Sequence, residues 1–232
     1  MFDVCTFGAI GGLSEWMSQS LLTAIWETIY MVVTSTALAY VFGLPLGIIL
    51  VVTEKGHIME NRVVNKVLAV IINAARSVPF IIMLILVIPL TRLIVGTFIG
   101  TTASIVPLTI SAIPFVARLI ETSLKEIDFG LVEAAVSMGA KPFAIITKVL
   151  VPEAAPSILL GIAITMINLV GYSAMAGIVG GGGLGTLAYY YGYQRYQYDV
   201  LWITVILLII MVQGVQVIGD KMTQWVVQKR RR

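Results

Sequence analysis

Few side chains in this sequence are able to do acid–base, nucleophilic or metal chemistry. The 232 residues hold one histidine, His57, one cysteine, Cys5, and 12 acidic residues. His57 stands in a polar stretch with Glu54, Lys55 and Glu60, where a solvated side chain is expected. Cys5 has no internal disulfide partner. No His/Cys cluster has metal-ligand spacing, and no nucleophile, base and orienting group form a set. Gly-Lys-Ser/Thr occurs nowhere, and the run Gly180 to Gly185 follows a long apolar segment, so it reads as a flexible turn rather than a phosphate loop. This chain is therefore not expected to catalyse a reaction, and energy for any work it does must enter from another polypeptide. What remains is polarity embedded in apolar runs, which is a functional candidate by default because unpaired polar groups are costly in hydrocarbon. Thr165, Asn168, Tyr172 and Ser173 lie in one such run, with Met175 as a soft neighbour. At helical spacing Thr165, Asn168 and Tyr172 share a face, which could line a pathway or hydrogen-bond to neighbouring helices. Gln213 and Gln216 suit interhelical bonding, and Arg76 suits either snorkelling to an interface or a pathway charge.

The elements that carry these residues are set by composition. Apolar residues make up 59% and charged residues 12% of the chain, against about 25% charged in soluble domains. A soluble enzyme, a disordered chain and a disulfide scaffold are excluded together. Apolar stretches at about 28–52, 67–90, 95–117, 155–178 and 200–219 each reach the roughly 20 residues needed to cross a bilayer. The fold class expected is all-α: one polytopic domain, residues 1–232, built on five transmembrane helices. With the N-terminus outside, Arg92 and Arg195 fall outside and the other thirteen basic residues inside. The positive-inside rule then places the C-terminus in the cytoplasm. Met1 to Ser20 carries Asp3 and Glu15 without a basic start, unlike a cleavable signal. Leu13 to Trp26 is either an interfacial helix, with Trp16 and Trp26 as anchors, or the start of a long tilted span. The tail Lys229 to Arg232 suits lipid headgroups. Pro45, Pro79, Pro89, Pro107 and Pro114 are each expected to kink or break a helix. There is no nucleic-acid motif.

The longest inside connection, about 121–157, is too long for a turn and too apolar for a disordered linker. Gly130 ends one piece, Leu131 to Met138 makes about two helical turns, Gly139 falls at the left-handed cap, and Pro142 suits the first turn of the next helix. Leu131, Ala134, Ala135 and Met138 recur at helical spacing, and Glu133 falls in the first turn. This pattern serves equally as a cap over the bundle or as a knob that docks into a partner's groove.

The run Glu133, Ala134, Ala135, Gly139, Val149, Val151, Pro152 resembles the EAA motif of ATP-binding-cassette import permeases. That motif reads Glu-Ala-Ala, three residues, Gly, nine residues, Ile, one residue, Leu-Pro. Here Val149 and Val151 replace Ile and Leu, and the other positions match. The stretches Ser77 to Thr97, Ile105 to Arg118 and Asn168 to Gly185, with the Tyr-rich Tyr189 to Tyr193, are similar to the membrane subunit of methionine-uptake transporters. The resemblance implies a multi-pass subunit of the bacterial inner membrane, working as a homodimer. It implies two cytoplasmic ATPase subunits, which hold ATP and Mg, and a substrate-binding protein outside. In that family the motif segment is the coupling helix, so Leu131, Glu133, Ala134, Ala135, Met138, Gly139 and Pro142 would face the ATPase. Methionine, in L and D forms, would be the cargo. An importer for another amino acid or a quaternary amine is the alternative within this class. A transporter driven by an ion gradient is the alternative outside it; that would need intramembrane carboxylates, and Glu27, near an outer end, is the one acidic residue close to a span.

Overall fold

The structure, a computed structural model, describes residues 15–230, with side chains from Ser20 to Lys229. The expectations for Cys5, Trp16, Arg231 and Arg232 fall outside the described side chains. Among the described residues every regular element is helical. The chain runs through α1 (Glu15–Val52), α2 (Arg62–Arg76), α3 (Phe80–Leu86), α4 (Ile88–Val95) and α5 (Thr101–Lys125). It continues through α6 (Phe129–Ser137), α7 (Pro142–Ile145), α8 (Val151–Glu153), α9 (Ala155–Ile178), α10 (Gly183–Leu187) and α11 (Tyr198–Arg230). Two wider π-helical stretches, Ile146–Leu150 and Ala188–Gln194, extend α7 and α10.

Among the described residues, four helices are long and apolar enough to cross a bilayer: Ser20–Val52, Thr101–Lys125, Ala155–Ile178 and Tyr198–Lys229. The pair α2 and α3, bent by 102°, is long and apolar enough when taken together to count as a fifth, broken span or as a re-entrant loop. The stretch at 67–90 is thus not one straight span. Pro79 cannot continue a helix from Ser77, and it opens α3 at a new angle. The third crossing starts at Thr101 rather than near 95, because Gly96 and Gly100, at φ +83° and +105°, end α4 and redirect the chain. α1 is one continuous helix, which favours the long-span reading of its first half over a separate interfacial helix. Pro45, Pro107 and Pro114 lie inside unbroken helices; packed neighbours tolerate the lost backbone bond. Pro89 sits in the first turn of α4, where its missing N–H costs nothing.

The core is built on α1 against α5. A Cβ placed on Gly43 would stand 2.8 Å from the Val116 Cβ, and one on Gly47 would stand 2.6 Å from the Ala117 carbonyl oxygen. Close backbone approach through small residues is how helices gain packing without a hydrophobic drive in lipid. Met31, Leu108, Val116 and Ile120 fill the seam. Hydroxyls in the bundle are satisfied mostly within their own helix, as in Thr28 to the Ala24 carbonyl and Thr36 to the Val32 carbonyl. α9 packs on the same pillar, and α11 packs chiefly on α9.

Candidate functional site

The segment between α5 and α9 forms a built base. Asp128 caps α6, its Oδ1 accepting the Gly130 N–H at 2.8 Å. α6 therefore starts at Phe129 and contains Gly130, so Glu133 lies beyond the first turn in which the sequence placed it. The far end is a full left-handed cap. Gly139 has φ +74°, its N–H donates to the Val136 carbonyl at 2.9 Å, and the Ala140 N–H donates to the Ala135 carbonyl at 3.1 Å. Pro142 then opens α7. The π stretch that follows carries the chain into α8 and α9 without a loop, a local widening often found at functional positions.

Burial divides the motif residues. Val132 and Ala135 are 2% and 4% exposed and root α6 on the core beside Ile145 and Leu150. Leu131, Glu133, Ala134, Gly139 and Pro142 are exposed, and Met138 is 81% exposed. Ala135 thus leaves the apolar face on which the sequence reading placed it. Phe129, Val136 and Phe143, which that reading missed, are exposed there. The period of α6 was legible, but the inward phase depended on Val132, an equally apolar residue.

The base is tied laterally. Lys125 pairs with Glu54 at 2.9 Å and with Glu121 at 3.0 Å, and Glu121 also pairs with Arg118. The Ser157 hydroxyl donates to Glu126 at 3.1 Å, joining the end of α5 to the start of α9. Glu60 accepts the Gly56 N–H and pairs with Arg62; these two donors hold its carboxyl below the usual range. His57 is only partly solvated. It meets the Phe129 ring edge-on, with centroids 5.8 Å apart, and its Nδ1 is buried without a partner. Burial pushes its pKa down, opposed by Glu54 and aided by Lys125. His57, Glu54, Lys125, Phe129, Val132 and Leu150 help line a cavity of about 150 Å³ between α1, α5 and α6.

In α9 the structure separates the five path candidates. Asn168 and Met175 are exposed and Tyr172 is partly so, and at helical spacing these three form one stripe. Tyr172 stacks in parallel on Phe80, centroids 4.6 Å apart, so the bent α2–α3 pair reaches the stripe. Thr165 and Ser173 are turned inward instead, donating to the Gly161 and Val170 carbonyls at 2.8 Å each. Tyr40 lies over Gly161, where a Cβ would stand 3.1 Å from its hydroxyl. Gln216 donates to Asp220 of its own helix at 3.0 Å rather than across helices. Gln213 faces an apolar groove between α9 and α11. Arg76 ends α2 at the bend, exposed.

At the opposite end, the two outside arginines lie over aromatic rings, Arg92 over Phe98 and Arg195 over Tyr191, each at 4.5 Å. The glycine run is not a loose turn. Glu27 Oε2 accepts the Gly183 N–H at 2.6 Å, Thr28 Oγ1 accepts the Leu184 N–H at 3.0 Å, and the Gly100 N–H donates to the Gly180 carbonyl at 2.9 Å. Residues 183–194 are helical rather than loop. Glu27 carried no local signal for this role, since its partner is 156 residues away.

Comparison with known proteins places this architecture. The chain is 54% identical over 215 residues to the probable D-methionine transport system permease protein MetI of Vibrio cholerae, covering 91% of this chain and 96% of that one. It is 45% identical over 210 residues to the methionine import system permease protein MetP of Bacillus subtilis, covering 90% and 94%. A chain of the MetNI methionine ABC transporter, solved in inward-facing conformations, superposes with a TM-score of 0.91 at 47% identity, over 92% of this chain and 99% of that one. Residues 43–232 match the family described as the binding-protein-dependent transport system inner membrane component. With its bundle of crossings and its EAA segment on a rooted helix, the chain belongs to that family, as a multi-pass membrane permease of ATP-binding-cassette importers.

Proposed function

We propose that this permease imports methionine, in L and D forms, as a homodimer served by two cytoplasmic ATPase subunits and an external binding protein. The observation that carries the coupling role is the division of α6, whose Val132 and Ala135 are buried in the bundle while Leu131, Ala134 and Met138 face outward. A helix rooted in this way transmits a push from a partner's cleft to α5 and α9, the two crossings attached to its ends. Methionine as cargo is supported by relatives bearing that name at 54% and 45% identity. ATP and Mg are held by the ATPase, and this chain contributes the path and the lever. Closure of the ATPases on ATP biases the pair of permeases toward the outward-open arrangement, and hydrolysis returns it, which requires only that ATP bind one arrangement better than the other. In the path, Asn168 offers hydrogen bonds to a polar cargo, while Tyr172 and Met175 offer an apolar and polarizable surface suited to a thioether.

The test is reconstitution in liposomes with the ATPase, external binding protein, internal ATP and labelled L- or D-methionine. Import should require all three components and should be competed by unlabelled methionine but not by a quaternary amine. Import of methionine by the permease without the ATPase would overturn the reading.

A further inference from the structure

The carboxylate near the outer end of α1 is not used by the coupling segment or by the α9 stripe. Glu27 is half-buried beside an open cavity of about 380 Å³ that Gly182 and Gly183 also line, and its Oε2 takes the Gly183 N–H at 2.6 Å. Next to it, the fully buried Thr28 is bonded on both sides. Its hydroxyl donates to the Ala24 carbonyl at 2.9 Å and accepts the Leu184 N–H at 3.0 Å. Two successive side chains of α1 thus satisfy the first two backbone donors of α10, which no intrahelical carbonyl can reach. The fit leaves no room for slack. A Cβ on Gly182 would stand 2.9 Å from Glu27 Oε2 and 2.6 Å from Thr101 Oγ1, and one on Gly183 would stand 2.6 Å from Thr28 Oγ1. Both glycines hold left-handed φ, +83° and +74°. The glycine run is therefore shaped to bring backbone N–H groups onto these two side chains.

We infer that Glu27, with Thr28, is a positioning residue at the outer end of the bundle, clamping the glycine run and α10 to α1 so that they move as one body. The clamp sits on the face that the charge asymmetry assigns outward, at the opposite end of the pillar from α6. Its effect on coupling rests on the importer reading above, whereas the clamp itself does not. A charge-assisted bond at this distance is among the stronger protein hydrogen bonds, and it joins segments with no covalent continuity nearby. With the clamp intact, displacement of α1 and α5 carries the outer mouth with it. Without the clamp, the run keeps its ties to α5, through the Gly100 bond and the contact of Ser104 with Gly181, and to α9, where the Gly181 N–H donates to the Ala176 carbonyl and the Thr186 hydroxyl to the Gly177 carbonyl, but loses its hydrogen bonds to α1.

Leu184, fully buried beside Thr28, reports the clamp directly. In the purified permease–ATPase complex carrying Cys5→Ser and Leu184→Cys, an impermeant maleimide should label slowly, with and without ATP. Glu27→Ala should speed labelling about tenfold or more, the scale of losing one charged hydrogen bond from a local opening equilibrium. Glu27→Gln, which keeps an acceptor oxygen, should stay within a few-fold of the parent. If labelling in the parent rises on ATP binding, or if Glu27→Ala leaves it unchanged, the clamp is overturned. As a second readout without the cysteine, Glu27→Ala should lower methionine imported per ATP at an unchanged ATP KM, and Glu27→Gln should restore it. Equal loss in both variants would mean a merely structural role. None of the labelling outcomes depends on the cargo, so failure of the clamp is distinguishable from failure of the methionine assignment.

Discussion

Individual residues here act mainly through backbone conformation and unmet hydrogen bonds. Gly139 has φ +74° and open space where a Cβ would stand, so its constraint is conformational, not steric. Gly139→Ala is therefore expected to destabilise the α6 cap by about 1 kcal/mol, and Gly139→Asn by less, because Asn tolerates the left-handed region. Thermal melting of the purified complex, with methionine import per ATP beside it, checks both; equal loss from Asn and Ala would point to a side-chain clash instead. His57 supplies a pH dependence. Its folded pKa is lowered from 6.5 by burial against Phe129. The neutral form is thus favoured in the folded state, so this contribution is complete above about pH 6.5 and is lost as pH falls through the folded value. Stability followed from pH 8 to pH 5 should fall at the acid end in the parent, and the fall should be smaller in His57→Leu. An unchanged slope in that variant would show that other groups carry it.

At the scale of elements, α6 combines two functions on two faces. Val132→Ala removes buried methyls and should cost about 2 kcal/mol, loosening α6 from Ile145 and Leu150. Met138→Ala, at an exposed site, should leave melting unchanged while weakening ATPase association, measured by titration of the ATPase onto the permease. If Val132→Ala and Met138→Ala behaved alike in both assays, the division of faces would be wrong. The sequence carried the existence of α6, its Gly139 cap and the start of α7 at Pro142, because each depends on a local conformational rule. It did not carry which face turns inward, since a buried cap and a docking knob share one periodicity, and only packing with residues 10 to 18 positions further on selects Val132 and Ala135. The long crossings were legible for the same local reason: charge-free runs of sufficient length become α1, α5, α9 and α11. The 102° break after Arg76 was signalled by Pro79 but masked by continuous apolarity. Contacts such as Glu27 with Gly183, Phe80 with Tyr172 and Phe129 with His57 join residues far apart in the chain, and no spacing rule announces them.

For the whole molecule, the central matter is how one rigid pillar can serve a moving path. α1 and α5 approach so closely at Gly43 and Gly47 that the pair has no freedom to slide, and interiors packed at this density shift between discrete arrangements rather than deform. The exposed stripe of Asn168, Tyr172 and Met175 borders the buried Thr165 on α9, while Ser173 lies further round the helix, and the stripe meets the bent α2–α3 pair through Phe80. The pillar side and the path side of α9 should therefore respond differently to substitution. Met175→Trp, adding bulk at an exposed position, should lower methionine import at least tenfold while leaving melting within about 0.5 kcal/mol and leaving ATP hydrolysis stimulated by the binding protein. Thr165→Ala, at a buried position whose hydroxyl is bonded within its own helix, should shift melting by about 1 kcal/mol and leave import per folded complex unchanged. Measured together on reconstituted complexes, the two variants separate a cargo path from packing: if Met175→Trp transports normally, or Thr165→Ala blocks import in a stable complex, the stripe is not the path, and the buried face of α9 must be searched in its place.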